Sequence, residues 1–189
     1  MVSMEYENVI FPDSVGFYCR KCGVCCRNQP PDINFIEQKR IQAAGYKYFM
    51  QYPSDPKNRN IRRKKDGSCF FFTKENTCEI NSIKPSICIL EPFIIADFDP
   101  IANKIFLDLN PCAVNDCKGL LTAGNIALEE IGKAAQTIVS DFLEIVAQKT
   151  GLSVTDKKVA FLTRQLLNES NFIKPRRANC SESYKRFKS

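Results

Sequence analysis

The chain has 189 residues, of which 44% are hydrophobic and 25% are charged. This balance is that of one globular domain and excludes a disordered or fibrous protein. The formal net charge of +6 is concentrated after residue 173, so the rest of the chain is nearly neutral. No apolar run approaches the roughly 20 residues that a transmembrane helix needs. The sequence also starts without the basic and apolar segments of a signal peptide, so a cytoplasmic location is expected.

The first predicted element is a loop over residues 19–26 that carries a dense group of cysteines. They follow the pattern C-x2-C-x2-C-C and are Cys19, Cys22, Cys25 and Cys26. The x2 spacing lets a tight loop turn successive thiolates toward one metal ion or cluster. Because the side chains of consecutive residues diverge, Cys25 and Cys26 are expected either to serve two centres or to leave thiols outside a single centre.

A short helix is predicted after this loop. Asn34, with Glu37 three positions later, has the pattern of a capping box, and Gly45 is a typical C-terminal stop. The helix is therefore predicted over residues 35–44, and one further turn is expected in residues 46–52.

Two β-hairpins are predicted in the middle of the chain. The Asp66-Gly67 pair favours a tight turn in the first, and Asp99-Pro100 joins the strands of the second. The predicted strands are residues 61–65, 69–73, 92–98 and 104–109. Between the hairpins, residues 82–88 are predicted to form a short helix with Pro85 in its first turn.

Two amphipathic helices are predicted in the last third of the chain. Apolar residues recur at helical spacing over residues 125–149, with Asn125 as N-cap, and again over residues 153–168. The short connection favours an antiparallel helical hairpin. The predicted fold is thus α+β, a small irregular cysteine-rich domain in residues 1–120, a helical hairpin packed on it in residues 121–172, and a basic tail in residues 173–189.

The chain has ten cysteines and no histidine. In a reducing cytoplasm this favours metal ligation over a disulfide framework. The absence of histidine excludes Cys2His2 zinc sites, Rieske centres and Cys-His nucleophilic catalysis. All-thiolate binding of zinc or of an iron–sulfur cluster remains, and spacing alone does not separate the two.

Several motifs resemble the CxxCxxCC cysteine-cluster family of zinc- or iron-chelating domains. They are residues 17–26 around the first cluster, Gly67-Ser68-Cys69-Phe70-Phe71, Cys78-Glu79-Ile80, Lys84-Pro85-Ser86-Ile87-Cys88, Pro92-Phe93 and Cys117-Lys118-Gly119. The resemblance covers roughly residues 17–119. It implies eight ligand candidates, Cys19, Cys22, Cys25, Cys26, Cys69, Cys78, Cys88 and Cys117.

The chain departs from the family pattern at several positions. Ile89 stands where the family usually has arginine, and Lys118 stands where it usually has proline. Cys112 lies outside the pattern and is a candidate substitute ligand or a disulfide partner under oxidation, whereas Cys180 in the basic tail is expected to be a free thiol. No catalytic residue is assigned, and the carboxylates near the predicted cluster are given no role; they are Glu91, Asp97, Asp99 and Asp108.

Three functions are weighed. The first is a non-catalytic iron–sulfur protein with enough thiols for two 4Fe-4S clusters, acting as a redox- or oxygen-responsive element that docks on a larger enzyme complex. The second is a zinc-stabilised interaction module, with nucleic acid as an alternative partner for its basic runs. The third is an iron-dependent redox or protein-modifying enzyme, which requires an open coordination position that sequence does not reveal.

Overall fold

The computed structural model describes residues 8–13, 15–28, 31–55, 58–111, 113–114, 116–121 and 128–169. Within these ranges it is a small α+β fold, as predicted. The elements in chain order are β1 Val9–Ile10, β2 Gly16–Phe17, α1 Val24–Asn28, α2 Phe35–Ala43, a 3-10 helix Asn81–Ile83, α3 Ser86–Leu90, β3 Phe93–Asp99, β4 Lys104–Leu109, β5 Leu120–Leu121, α4 Leu128–Thr150 and α5 Lys157–Glu169. None of the described helices is both long and apolar enough to span a membrane.

The main sheet has three strands in the order β1-β4-β3. Strands β3 and β4 are antiparallel, with Phe93 opposite Leu109 and Asp99 opposite Lys104, which confirms the second predicted hairpin. The Asp99 carboxylate closes the turn by accepting hydrogen bonds from the backbone N–H groups of Ile101 and Ala102 at 2.8 and 3.1 Å. A separate antiparallel pair of β2 and β5 joins the segment before Cys19 to the segment after Cys117.

The core of this part lies between the sheet and α4. Alternate residues of β3 and β4 are buried because successive side chains of a strand point to opposite faces. They pack against the apolar stripe of α4. Helix α5 packs on the C-terminal part of α4 through Val159, and its Leu167 joins the main core. The two predicted long helices are confirmed over the described residues, whereas the predicted N-cap Asn125 lies outside them.

Helix α2 begins as the sequence predicts. The Asn34 side chain accepts a hydrogen bond from the Glu37 backbone N–H, and the Glu37 carboxylate accepts one from the Asn34 N–H. The helix ends before Gly45, whose φ is +93°. The further turn expected in residues 46–52 is wrong, because the Gln51 N–H donates to the Asn60 carbonyl and Met50 pairs with Ile61.

The first predicted hairpin forms only as a turn. Gly67 has φ +83°, and the Lys64 N–H donates to the Ser68 carbonyl at 2.8 Å. Pairing is limited to an isolated bridge between Arg63 and Cys69, so the two predicted strands are wrong. The ladder ends there because the chain turns at Phe70 and Phe71, where the Phe72 N–H donates back to the Cys69 carbonyl at 3.0 Å.

Two further predictions about short helices need correction. Residues 24–28 form helix α1 where a loop was expected through residue 26, because the chain after Gly23 closes a helical turn from the Arg27 N–H to the Gly23 carbonyl at 3.1 Å. The helix predicted over residues 82–88 begins later, at Ser86. Pro85 is its N-cap with extended backbone, so it precedes the first turn.

Candidate metal centre

Eight cysteines line one cavity of about 1240 Å³. They are the eight that the family resemblance implies, Cys19, Cys22, Cys25, Cys26, Cys69, Cys78, Cys88 and Cys117. They come from five separate parts of the chain, so the fold brings together thiols up to 98 positions apart in the sequence. Cys112 and Cys180, the other two cysteines, lie outside the described residues.

The first group of cysteines sits on a backbone of unusual shape. Lys21 and Gly23 have positive φ angles of 51° and 73°, and these bends carry the chain from β2 through Cys22 into α1. Gly23 is required for a second reason, because a Cβ there would collide with the Phe72 ring and would lie 2.7 Å from Arg27 Nη1. Arg27 in turn stacks over Phe72, 4.6 Å from its centroid.

Cys69 and Cys78 are held beside α1 by backbone hydrogen bonds. The Cys69 N–H donates to the Cys26 carbonyl at 2.8 Å, and the Phe72 N–H donates to the Cys69 carbonyl at 3.0 Å. Phe72 also forms a bridge with Cys78. These contacts fix both cysteines on the side of the cavity formed by the C-terminal residues of α1.

Cys88 lies on α3, whose position is set by a buried polar network. The Glu37 carboxylate accepts a hydrogen bond from the Ser86 N–H at 2.7 Å, at the start of α3. Asn34 caps α2 and donates through Nδ2 to Asp141 Oδ2 on α4 at 2.6 Å. Both Asn34 and Glu37 are buried. The network therefore joins α2, α3 and α4 behind the cavity.

Cys117 is positioned by the segment that enters β5. Its N–H donates to the Ala113 carbonyl at 2.8 Å, and its own carbonyl accepts from the Leu120 N–H at 3.2 Å. Two residues later, the Gly119 carbonyl accepts from the Tyr18 N–H at 2.9 Å. A Cβ at Gly119 would collide with the Tyr18 carbonyl, so the close approach of the two segments requires glycine.

The thiols have shifted pKa values. Burial raises the pKa of Cys69, Cys78 and Cys117 and raises that of Cys88 well above its ordinary value. The Cys25 thiol hydrogen-bonds to Cys26, which raises the pKa of Cys25 and lowers that of Cys26. Most of the thiols are thus protonated without a metal, and binding of a metal as thiolates releases these protons.

Cations surround the thiols. Burial alone would lower the pKa of Lys84, but the thiols of Cys88, Cys25, Cys19 and Cys26 raise it above its usual value, so the ammonium stays charged. The basic residues lining the cavity within the described chain are Arg20, Lys21, Arg40, Lys84, Lys118 and Lys133. The acidic ones are Glu91, Asp116 and Glu130. The excess of positive charge suits a metal centre ligated by thiolates, which carries net negative charge.

The structure separates the four carboxylates that sequence reasoning placed near the cluster. Only Glu91 of these lines the cavity, and burial raises its pKa to about 7 although a hydrogen bond from Asn110 opposes the rise. Asp97 pairs with Arg164, and Asp99 and Asp108 accept backbone hydrogen bonds near their own positions.

Sequence reasoning missed two residues of this site. Glu37 was identified only as part of a capping box, and nothing in the local pattern shows its second bond to Ser86. Lys84 was named only as the residue before Pro85. Its position four residues before the candidate ligand Cys88 is the signal that could have identified it as part of the site.

The eight cavity thiols have the chemistry that a metal centre requires. Eight soft thiols face one cavity, and all-cysteine sets hold zinc or iron–sulfur clusters. In the arrangement described, however, no three side chains of His, Cys, Asp or Glu in the described residues are grouped so that they could hold one metal ion. The individual ligands therefore stay a prediction, as does the division of the chain into domains.

Comparison with known proteins identifies the family. The model of the CxxCxxCC family, described as "putative zinc- or iron-chelating domain", matches residues 18–113, just over half of the chain. The match includes Cys112 and ends before Cys117. Cys117 is assigned to the site because it lines the cavity. No curated protein and no solved structure gives a significant match. The chain belongs to the CxxCxxCC family of zinc- or iron-chelating domains.

Proposed function

We propose that this protein binds iron–sulfur clusters through its cavity thiols and acts as a redox- or oxygen-responsive accessory protein of a larger enzyme complex. The observation that carries the proposal is the convergence of eight thiols on one cavity. A structural zinc site uses four ligands. Twice that number around one cavity is better explained by larger or multiple centres.

The size of the cavity supports a cluster over a single ion. Four thiolates at about 2.3 Å from one zinc ion lie about 3.8 Å from each other. A cluster has its own iron and sulfide framework and holds its thiolates farther apart. The cavity of about 1240 Å³ has room for the wider arrangement.

Accessibility supports a responsive role. Cys19, Cys22 and Cys25 are exposed, whereas the other five cavity cysteines are partly buried. Exposed thiols and cluster edges react with oxidants more readily than buried ones. Oxidants would therefore reach the centre from the side of residues 19–25, and cluster loss there would alter the surface that a partner contacts.

The metal can be tested by anaerobic purification of the full chain. We expect a brown protein with about four irons and four sulfides for each cluster, with visible and paramagnetic resonance spectra of iron–sulfur centres. The Cys180→Ser variant, which removes a thiol outside the family pattern, is the matched control and should keep the full metal content. A colourless protein that carries only zinc would overturn the iron–sulfur proposal.

The responsive role needs a separate measurement. A tagged chain with its cluster intact is used to recover partners under argon and under air, with the Cys69→Ser variant alongside. The role is supported if partner recovery differs between argon and air and if this difference is lost in the Cys69→Ser variant. Equal recovery in all samples contradicts it.

A zinc-stabilised interaction module is the second candidate. It is favoured by the sparse regular structure around Cys69 and Cys78, where pairing is limited to isolated bridges, because such segments often depend on a metal for folding.

Nucleic-acid binding through the basic run of residues 57–65 has less support. Arg59 stacks on Phe35 and Arg62 stacks on Phe70. If the protein retains neither RNA nor DNA even at low salt, nucleic-acid binding is excluded.

A further inference from the structure

We propose that the exposed surface around Cys19, Cys22 and Cys25 is a docking site for an acidic surface of another protein. This surface, which we call the thiol face, consists of Tyr18, Arg20, Lys21, Arg27, Val114 and Lys118. The inference rests on the proposed function in one respect, that the chain docks on a larger complex. The place of docking and the charge of the partner are new.

Two segments of the chain meet at the thiol face. The Tyr18 N–H donates to the Gly119 carbonyl at 2.9 Å, and a Cβ at Gly119 would lie only 2.2 Å from the Tyr18 carbonyl oxygen. Tyr18 and Lys118 are the exposed residues on either side of this contact. Residues 20–22 and Lys118 also line the mouth of the same cavity. The two segments therefore form one continuous surface around the exposed thiols.

The thiol face is strongly basic. Residues 18–27 contain three basic residues and no acidic one, and residues 113–119 contain Lys118 and Asp116. The four basic side chains are exposed, and none of them makes an ion pair with a carboxylate in the part of the chain that the structure describes. Residues 1–173 as a whole are nearly neutral. A local excess of like charge repels itself, and an acidic partner surface relieves that repulsion.

The thiols do not account for these exposed cations. Lys84 is only partly exposed and lies on the cavity wall, where its charge is screened little by solvent. Lys84 thus supplies a counter-charge for bound thiolates. The exposed cations of the thiol face are screened by water and salt, so they contribute less to the metal centre and remain available to a second macromolecule.

Local structure pre-organises two of the cations. Lys21 has φ +51°, a region that favours glycine, and it makes no hydrogen bond or ion pair within the described residues that offsets this strain. Such strain is concentrated at functional sites. The Arg27 guanidinium donates to the Cys22 carbonyl at 3.2 Å and to Asn76 Oδ1 at 3.0 Å. It has five N–H donors, so further donors remain for a partner carboxylate, and a cation already held in place loses little entropy on binding.

Apolar side chains beside the charges favour a protein over a nucleic acid. Tyr18 is 56% exposed and Val114 is 44% exposed. Val114 lies one turn before Lys118, because the Cys117 N–H donates to the Ala113 carbonyl at 2.8 Å. Protein interfaces combine apolar centres with polar and charged rims, whereas a valine neither binds phosphate nor stacks on bases. The thiol face therefore fits an acidic protein surface that also carries apolar groups.

Cross-linking locates the contact on the full wild-type chain, purified anaerobically. The probe is a glutamate-rich peptide with interspersed leucines, coupled to lysines by a carbodiimide and mapped by mass spectrometry. We expect cross-links at Lys21 and Lys118 in clear excess over Lys157 and Lys158, which are also exposed but lie on α5. Yields at Lys21 and Lys118 that do not exceed those of the α5 pair would overturn the docking site.

Charge reversal measures how much the thiol face contributes. Affinity for the same peptide is measured by fluorescence anisotropy at an ionic strength of about 0.1 M, where the Debye length is about 10 Å. Arg20→Glu with Lys118→Glu should weaken binding at least about tenfold. Lys157→Glu with Lys158→Glu changes the net charge equally and should stay within about twofold of wild type.

Equal losses in the two double variants would show binding by net charge alone and overturn the docking site. Circular dichroism and metal content identify variants that fail to fold. The cross-linking result on wild type does not depend on them.

Val114→Ser tests the class of partner. It should weaken binding of the leucine-containing peptide about fivefold, the equivalent of about 1 kcal/mol of apolar burial. Binding of an all-glutamate peptide and of a single-stranded oligonucleotide of equal charge should not change. Tighter binding of the oligonucleotide than of the leucine-containing peptide, lost in the charge-reversed variant of the thiol face, would make this surface a nucleic-acid site and overturn protein docking.

Metal analysis of the same samples separates this inference from the iron–sulfur function. An iron-loaded protein whose peptide binding does not involve the thiol face would overturn the docking site alone. A protein that carries only zinc and binds the peptide through the thiol face would overturn the iron–sulfur function and leave the docking site intact.

Discussion

The two halves of the molecule are stabilised in different ways. The thiol half, residues 15–91, has short helices, isolated bridges and a small core around Phe49, Ile61 and Phe71. The sheet-and-helix half, residues 93–169, contains the β3–β4 hairpin, the 23-residue helix α4 and the larger core. Burial of apolar surface accounts for the second half. The first half combines fewer apolar contacts with seven of the eight cavity cysteines, so we expect its order to depend on bound metal.

Removal of the metal should have a stronger effect than any single substitution, and it should act on the thiol half alone. Structural metal ions contribute on the order of 10 kcal/mol to the folding of small metal domains. After anaerobic chelation we expect amides in residues 31–80 to lose hydrogen-exchange protection, whereas β3, β4 and α4 keep theirs. Equal loss in both halves, or no loss in either, would show that the halves do not differ in this way.

Truncation of Phe93 tests the sheet-and-helix half. Phe93 is 1% exposed and makes edge-to-face contacts with Phe11 and Phe17. We expect Phe93→Ala to lower the free energy of unfolding of metal-loaded protein by about 3–5 kcal/mol, measured by urea denaturation. Phe161→Ala is the matched control, because Phe161 is 50% exposed and should cost less than about 1 kcal/mol. Similar losses for both would contradict the assigned core.

The pH dependence of stability tests the junction of the halves. Glu91 follows α3, and its carboxylate accepts hydrogen bonds from Asn110 Nδ2 at 3.1 and 3.2 Å after β4. Burial raises the pKa of Glu91 from 4.5 to about 7, so between these values the folded chain binds a proton that the unfolded chain has lost. Its contribution to stability is therefore present below pH 4.5 and is lost as the pH rises to 7.

The Glu91→Gln variant isolates this contribution. Relative to wild type, the variant should gain stability as the pH rises from 4.5 to 7, by at most about 3 kcal/mol. The measurement is the difference between the two urea-unfolding free energies at each pH, which cancels proton uptake by the thiols. A difference that does not change with pH would mean that the pKa of Glu91 is the same in the folded and unfolded chains, which would contradict its burial at the junction.

The smallest expected effect concerns an ion pair within the sheet-and-helix half. Arg164 on α5 donates from Nε and Nη2 to the two carboxylate oxygens of Asp97 on β3 at 3.0 and 2.7 Å. Both side chains are partly exposed, and pairs of this kind contribute about 1 kcal/mol or less. We expect Arg164→Lys, which loses the two-pronged geometry, to lower the melting temperature slightly and Arg164→Met to lower it a little further. A large drop would show that α5 depends on this contact more than on its apolar packing.

Local signals predicted the parts of the fold that depend on neighbouring residues. The Asn34 and Glu37 capping box marked the start of α2, and apolar spacing marked α4 and α5. The strands flanking Asp99-Pro100 were also predicted, because Asp99 bonds within its own turn. The cysteines were identified as a set from their spacing and from the family resemblance.

What could not be predicted depends on contacts that are distant in the sequence. The strands expected on both sides of Asp66-Gly67 are absent from the described residues 61–73, because the chain turns between Cys69 and Phe72. The Cys69 N–H bonds instead to Cys26, 43 positions earlier. Glu37 was identified only as part of a capping box and proved to be buried against Ser86. No local pattern encodes such pairings, so the arrangement of the thiols around the cavity required the fold.

The contact between Gly119 and Tyr18 has a consequence for reading related chains. Since even one methyl group at position 119 would overlap the Tyr18 carbonyl, saturation mutagenesis at this codon followed by selection for metal content should return glycine alone. A relative that carries a larger amino acid two positions after the cysteine that corresponds to Cys117 must separate these two segments. The residue at that position therefore indicates, from the genome sequence alone, which relatives can form the cavity in this way.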